Sequence, residues 1–309
     1  VADRREVATG IHCFELRDPA GAALPPFTAG AHIGVEVPGG ALRKYSLCNA
    51  SSERDRYVIA VLREAGGRGG SVGLCDGAPV GAVLQCSGPH NDFALVAGAR
   101  EHLFIAGGIG ITPILAMMRE LQAVGHERFH LHYCTRSPEA TAFRDELSAP
   151  PFASHITIHH DGGDPSRQLD LWPLLEKPTG AHLYCCGPRP MLEAVRDMTG
   201  HWSAATVHFE SFVDAEQTHV AGEKAFRVRL ARSGAVIEVA ADQSILDALR
   251  EAGHDVESSC ESGTCGTCRT GLISGVAEHR DFVLMDDEQA GNIMICVSRA
   301  RSDELVLDR

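Results

Sequence analysis

The chain has 309 residues, enough for two or three domains, and its 44% hydrophobic and 22% charged content is that of an ordinary soluble globular protein. A formal net charge of -13 argues against nucleic acid or an anionic membrane surface as partner. No run approaches the ~18 apolar residues of a membrane span, and no secretory leader pattern precedes the first strand-like segment.

The opening Val1-Ala2-Asp3-Arg4-Arg5 is read as a first strand lacking some of its residues. From about Ile11 to Val96 come short apolar runs punctuated by Gly, Pro and Asn: Ile11–Leu16, His32–Val37, Tyr45–Leu47, Tyr57–Leu62 and Val83–Cys86. Their brevity and spacing predict an antiparallel β-barrel over residues 1–98. Within it, Arg43-Lys44-Tyr45-Ser46-Leu47-Cys48-Asn49 reads either as a barrel strand with one exposed arginine or as a ligand-binding strand. Gly66-Gly67-Arg68-Gly69-Gly70-Ser71 is either a mobile turn or a phosphate cradle, since glycine frees backbone N–H groups ahead of a short helix and an arginine stands by.

From Glu101 the grammar changes. His102–Ala106 is a strand, Gly107-Gly108-Ile109-Gly110 a tight loop, and Ile111–Val124 has helical periodicity. Phe129–Cys134, Ile156–His160 and His182–Cys186 are further strands, and Pro190–Met198 a helix. This alternation predicts an α/β domain with a parallel sheet over residues 99–213. Gly108-Ile109-Gly110-Ile111-Thr112-Pro113 follows a strand and opens a helix, the context a pyrophosphate needs, although the glycine spacing is not that of the Rossmann fingerprint. Cys186-Gly187-Pro188 closes a later strand at the carboxyl edge of the sheet, where open α/β sheets bind ligands. Residues 214–224 are polar and without periodicity, and read as a linker.

Residues 225–309 open with a hairpin, Phe226–Leu230 and Val236–Val239 around Ser233-Gly234, followed by a helix Ile245–Glu251 ended by Gly253. Then comes Cys260-Glu261-Ser262-Gly263-Thr264-Cys265-Gly266-Thr267-Cys268, with Cys296 far downstream in the apolar run Ile293–Val297, read as a buried strand. C-x4-C-x2-C with a distant fourth cysteine is the plant-type [2Fe-2S] spacing. Structural zinc favours two short pairs of ligands, and core cysteines would sit singly in apolar runs. The remaining cysteines, Cys13, Cys48, Cys75, Cys86, Cys134, Cys185 and Cys186, suggest no disulfide framework and suit a reducing cytoplasm.

With these segments in this order the whole chain resembles the ferredoxin-NADP-reductase superfamily, and more closely the phthalate dioxygenase reductase family, which includes the reductases of vanillate demethylase-like systems. The resemblance implies a flavin β-barrel, an α/β nucleotide domain and a β-grasp-like α+β ferredoxin domain, carrying FMN and a [2Fe-2S] cluster, oxidising NADH and serving a Rieske non-haem iron oxygenase. It assigns Arg43, Tyr45 and Ser46 to the FMN phosphate, the ring system and flavin N5, and Arg68, Gly69, Gly70 and Ser71 to the phosphate loop. Gly108, Gly110, Thr112 and Pro113 match the nucleotide loop, and Cys186, Gly187 and Pro188 the motif beside the nicotinamide. Glu210-Ser211-Phe212 resembles the acid-x-aromatic ending whose aromatic covers the flavin; plain packing is the other reading of Phe212. Cys260, Cys265, Cys268 and Cys296 would hold the cluster.

Ser46, Cys186, Thr112 and Phe212 are therefore the residues expected nearest the chemistry, with no general acid or base required, because the cofactors supply the reaction. Thr135-Arg136-Ser137, after a strand, could in principle hold the 2′-phosphate of NADPH, against the NADH that the resemblance implies. Two rivals differ in acceptor or in class: a reductase of a ferric chelate, haem protein or small oxidant, and a redox-sensing module. The expected protein is a cytoplasmic monomer.

Overall fold

Ile11–Leu16 and Tyr57–Leu62 are apolar along most of their length because alternate residues feed two different cores. Phe14, Leu16, Tyr57, Ile59 and Val61 fill a barrel interior with Ile33, Val35 and Leu47, whereas Ile11, Cys13, Val58 and Ala60 pack with Phe104, Leu115 and Leu131. A strand's side chains alternate, so burial on both faces erases the alternation from the sequence. The computed structural model describes residues 1–212 and 223–309. They form two compact units, Val1–Glu210 and Ser211–Arg309.

In the first unit, β1 (Asp3–Ala8), β2 (Ile11–Leu16), β3 (His32–Glu36), β4 (Leu42–Ser46) and β5 (Tyr57–Leu62) precede a helix, α1 (Gly70–Gly77). The strands make antiparallel sheets β1-β2-β5 and β3-β4, joined where Leu47 bridges Ile59. The first strand expected at the opening residues is β1, an edge strand with the charged run Asp3-Arg4-Arg5-Glu6 and no fully buried residue. Val83–Cys86 is not a strand. It touches β3 through a Val35–Cys86 bridge and a Glu36 N–H to Gln85 carbonyl bond, and Leu84 packs on the barrel core while Val83 lies exposed.

Next come β6 (His102–Gly107), α2 (Ile111–Ala123), β7 (Phe129–Thr135), α3 (Arg144–Leu147), β8 (Ile156–His160), α4 (Trp172–Leu175), β9 (His182–Cys186), α5 (Arg189–Met198) and β10 (Val207–Glu210). The five strands form an all-parallel sheet in the order β10-β9-β6-β7-β8. The chain runs outward from β6 to β8 and then returns to lay β9 on the other side of β6. The crevice between the carboxyl ends of β6 and β9 is thus the topological switch point. Arg119 of α2 makes a bidentate pair with Glu146, both contacts at 2.7 Å, and also donates to the Cys48 carbonyl, tying sheet to barrel inside one unit.

The second unit contains β11 (Phe226–Leu230), β12 (Val236–Val239), α6 (Ile245–Glu251), β13 (Arg269–Ser274), β14 (Ala277–Glu278), α7 (Asp286–Gln289), β15 (Asn292–Met294), β16 (Arg299–Ala300) and β17 (Glu304–Leu307). Its mixed sheet, ordered β12-β11-β17-β13-β15, packs on the apolar face of α6, in a β-grasp-like arrangement. Ser244 caps α6 by accepting from the Asp247 N–H at 3.0 Å. The strand expected over Ile293–Val297 stops at Met294. The Val297 and Ser298 amides turn back to the Met294 carbonyl, and the Ile295 carbonyl accepts from Leu246 of α6, so Cys296 sits in a buried turn.

Of the linker expected at 214–224, only Glu223 and Lys224 are described. The Glu223 carboxylate lies between two buried guanidiniums, 2.7 Å from Arg280 and 3.0 Å from Arg299, and Arg280 also pairs with Glu278. Arg299 fills its remaining donors with the carbonyls of Gln243, Lys224 and Ala240. Among the described residues, no helix is long and apolar enough to cross a membrane.

Two predictions follow from these buried charges and imidazoles. Glu223→Gln removes the carboxylate charge that the Arg280 and Arg299 guanidiniums share. It should destabilise the second unit by about 3–5 kcal/mol, read as an earlier thermal loss of the cluster's visible absorbance. In the first unit, His102, His132 and His208 are held near a pKa of about 4, chiefly by burial. They stay neutral when folded but take up a proton near pH ~6.5 when unfolded. Their contribution to stability is therefore complete above that pH and is lost between it and about 4. Thermal midpoints should fall by several degrees from pH 7 to 5, and His102→Phe should show a shallower dependence.

Candidate active site and cluster loop

At the switch point the two loops approach to backbone contact. A Cβ on Gly110 would lie 2.2 Å from the Cys186 carbonyl oxygen, and one on Gly107 would lie 2.5 Å from Pro188 Cδ. Only glycine allows this closeness. Tyr133 fixes the loop from the next strand by donating to the Gly108 carbonyl at 3.0 Å. The buried Thr112 hydroxyl donates to the Ile109 carbonyl at 3.0 Å, so it shapes the turn into α2, and Pro113 is buried in the first turn of that helix.

Cys186 and Ser46 meet at Glu210, the last residue of β10. One carboxylate oxygen, Oε2, accepts from Ser46 Oγ at 3.5 Å and from Cys186 Sγ at 3.9 Å. Burial, and then the Glu210 carboxylate, push the Cys186 thiol well above its ordinary range. The sulfur is thus a neutral thiol, not a nucleophilic thiolate. Sequence reasoning placed Ser46 and Cys186 near the chemistry and quoted Glu210 only as the acid of the acid-x-aromatic ending, without choosing it as a site residue.

Arg43 and Tyr45 both lie half-buried on β4, and burial pushes Tyr45 up to about 12. The Arg43 side chain runs across Gly70, where a Cβ would come within 2.8 Å of its Nε. Gly69, left-handed at φ 79°, starts α1 with no side-chain cap. Uncapped amides, the positive end of a helix and a guanidinium therefore converge, and this cradle fits the phosphate of a flavin mononucleotide. Ser71 uses its hydroxyl to accept from the Glu64 N–H at 3.1 Å, which folds the glycine loop back onto β5. Past β7, the Thr135 hydroxyl is engaged with Thr141 at 2.8 Å and His160 at 2.9 Å, and the Ser137 hydroxyl lowers the pKa of an exposed carboxyl, Glu139. A 2′-phosphate would meet an acid there.

In the second unit the cluster loop has left-handed residues at Glu261, Gly263 and Gly266. A Cβ on Gly263 would lie 2.7 Å from Val297 Cγ2. Backbone amides turn onto sulfur: Ser262 and Thr264 donate to Cys260 Sγ, and Cys260 donates to Cys265 Sγ, each at 3.4 Å. A hydrogen bond from the Cys265 thiol, then those amides, pulls Cys260 toward the thiolate, and Cys296 does the same for Cys268. Cys260 with Cys265 and Cys268 with Cys296 thus lie within hydrogen-bonding reach, and these four residues would hold the cluster. Cys260 and Cys265 are half-exposed, Cys268 and Cys296 buried. Phe212, in the same unit, is 42% exposed.

Residues 104–151 match the oxidoreductase NAD-binding domain, and residues 228–301 match the 2Fe-2S iron-sulfur cluster binding domain, which removes the zinc reading. The phthalate 4,5-dioxygenase oxygenase reductase subunit of Pseudomonas putida is 55% identical over 309 residues, spanning 100% of this chain and 95% of its own length. Phthalate dioxygenase reductase of Burkholderia cepacia is 53% identical, over 100% of this chain and 96% of its own. A solved phthalate dioxygenase reductase, described as a modular structure for electron transfer from pyridine nucleotides to [2Fe-2S], superposes with a TM-score of 0.74 at 53% identity, covering 100% of this chain and 96% of that one. The chain therefore belongs to the phthalate dioxygenase reductase family.

Proposed function

We propose that the protein is the reductase component of a Rieske non-haem iron oxygenase system, oxidising NADH and passing single electrons to the oxygenase. Family membership brings FMN, NADH and a [2Fe-2S] cluster to the chain. When bound, FMN accepts a hydride and returns its electrons one at a time, and the cluster carries one electron per step. The observation that carries the reading is the meeting of Ser46, Cys186 and Glu210 beside the glycine loop of the parallel sheet.

The residues then divide the work. Arg43, the amides after Gly69 and the loop Arg68–Ser71 bind the phosphate, with Tyr45 along the ring system. Ser46 would offer its hydroxyl to the bound flavin, and Glu210 would hold that hydroxyl in place. Gly108 would leave backbone open to the nicotinamide half, Gly110 and Gly187 would let the two loops close together beside it with Pro188, Cys186 would offer a neutral thiol wall, and Thr112 and Pro113 fix the start of α2. Cys260, Cys265, Cys268 and Cys296 hold the cluster. Thr135, Ser137 and Glu139 support NADH over NADPH, because the hydroxyls are engaged and an acid stands beside them. The buried free cysteines fit a cytoplasmic protein, and we take it to be a monomer.

Arg43→Ala should weaken FMN retention by roughly 1.5–3 kcal/mol, the worth of a charge-assisted hydrogen bond, measured by flavin release on dilution; full occupancy would make Arg43 a surface residue only. Cys268→Ser should leave flavin reduction by NADH nearly unchanged and abolish rapid one-electron delivery to a Rieske oxygenase. Stopped-flow spectroscopy separates the two, and joint loss in a folded, flavin-loaded variant would refute the cluster as the exit. Phe212→Ala should raise nucleotide affinity and relax the NADH preference, and unchanged kcat/KM for both nucleotides would return Phe212 to packing.

A further inference from the structure

The parallel sheet carries a group of imidazoles that the proposed chemistry does not use. On β7 and its edge-strand neighbour β8, His130, His132 and Cys134 alternate along one face, and register sets them beside Thr157 and His159. His132 Nδ1 lies 3.2 Å from His159 Nε2, and both side chains are half-exposed. His130 stands next in line, its ring centroid 4.8 Å from that of His132, and its Nε2 is hydrogen-bonded to Thr157 Oγ1 at 2.9 Å. The opposite face of β7, with Phe129, Leu131 and Tyr133, is buried core. Packing on that side therefore does not demand imidazoles on this one.

We propose that His132 and His159 form a cross-strand site for a borderline divalent transition-metal ion, of the class of Zn²⁺, Ni²⁺ or Cu²⁺. Imidazole nitrogens bind such ions at about 2.0–2.1 Å, so a 3.2 Å separation subtends an angle of about 100° at the metal, suited to adjacent ligands of one ion. The side chains already share the span, and a turn about the soft χ2 torsions aims both lone pairs at one point. The nitrogen that carries a proton in the present His–His hydrogen bond passes it to the far nitrogen of its own ring through water, so both rings bind neutral and no net proton is released. The two imidazoles are the protein's ligands in this proposal, and water completes the coordination. Burial, with His130 and His159 beside it, holds His132 down to about 4, which lets a metal outcompete protons in mild acid.

A second imidazole pair on the same sheet serves as the internal contrast. His182 Nδ1 and His208 Nε2 are 3.0 Å apart, but Tyr184 stacks on His208 with centroids 4.5 Å apart, and buried His102 lies beside them. One ring face of that pair is thus taken by tyrosine.

The test is calorimetric titration of the holoprotein with Ni²⁺, recording cluster and flavin absorbance in the same sample so that any displacement of cluster iron is counted separately. Wild type should bind one Ni²⁺ per chain, and His132→Gln and His159→Gln should each weaken binding roughly tenfold or more. His182→Gln should leave it unchanged. Because His159 lies on the edge strand, its variant carries the test if His132→Gln fails to fold. Equal affinity in wild type and His159→Gln, or loss confined to His182→Gln, would overturn the proposal and leave the His132–His159 contact as a packing hydrogen bond only.

Discussion

The space that Gly110 leaves empty governs the first unit. With any side chain there, the loop after β6 would collide with the carbonyl of Cys186, 2.2 Å from the missing Cβ, and the two central strands could not end side by side. Because they do, the Cys186 thiol stands where the last parallel strand delivers Glu210 and the barrel delivers Ser46. A site assembled from three distant segments thus depends on one backbone approach, and the fixed geometry is what a hydride acceptor and its donor need from the protein.

The second unit is built around a different constraint, the tight turn of the loop that carries Cys260, Cys265 and Cys268. Left-handed residues let the loop curl, and amides that would otherwise be orphaned by so tight a turn find sulfur acceptors. The same region is backed by the Glu223–Arg280–Arg299 network, in which each guanidinium is paired although nearly buried. Such a network adds little net stability relative to an apolar core, but it penalises any arrangement that leaves one charge unpaired. It pins the start of the unit to the segment leading into Asp281, whose carboxylate accepts from the Val283 and Leu284 amides beside the cluster loop.

Histidine gives the parallel sheet its own character. Rings on adjacent strands lie in hydrogen-bonding distance on both faces of the sheet, which makes the first unit sensitive to acid and, at His132 and His159, leaves two nitrogens at chelating separation. Neither property touches the redox site. Both arise because parallel strands in register bring equivalent positions side by side.

Much was legible in the chain itself. The cysteine spacing specified the cluster, because ligand number and loop length admit few other metals, and the glycine loop between strand and helix marked the nucleotide site. The strands β6, β7, β8 and β9 and the helices α2 and α5 were read nearly to their ends, since 3.6-residue and two-residue periods are local properties, whereas β10, α3 and α4 were not read. What failed depended on partners distant in sequence. Val83–Cys86 is not a strand, because Val83 lies uncovered. Cys296 sits in a turn because α6 takes the Ile295 carbonyl. Glu210 was quoted but not chosen, because a carboxylate gains its role from the hydroxyl and thiol that tertiary folding brings to one of its oxygens. The sequence by itself determined which chemistries the chain could hold; only the tertiary structure decided which polar atoms face one another, because those distances are set by packing between segments far apart in the chain.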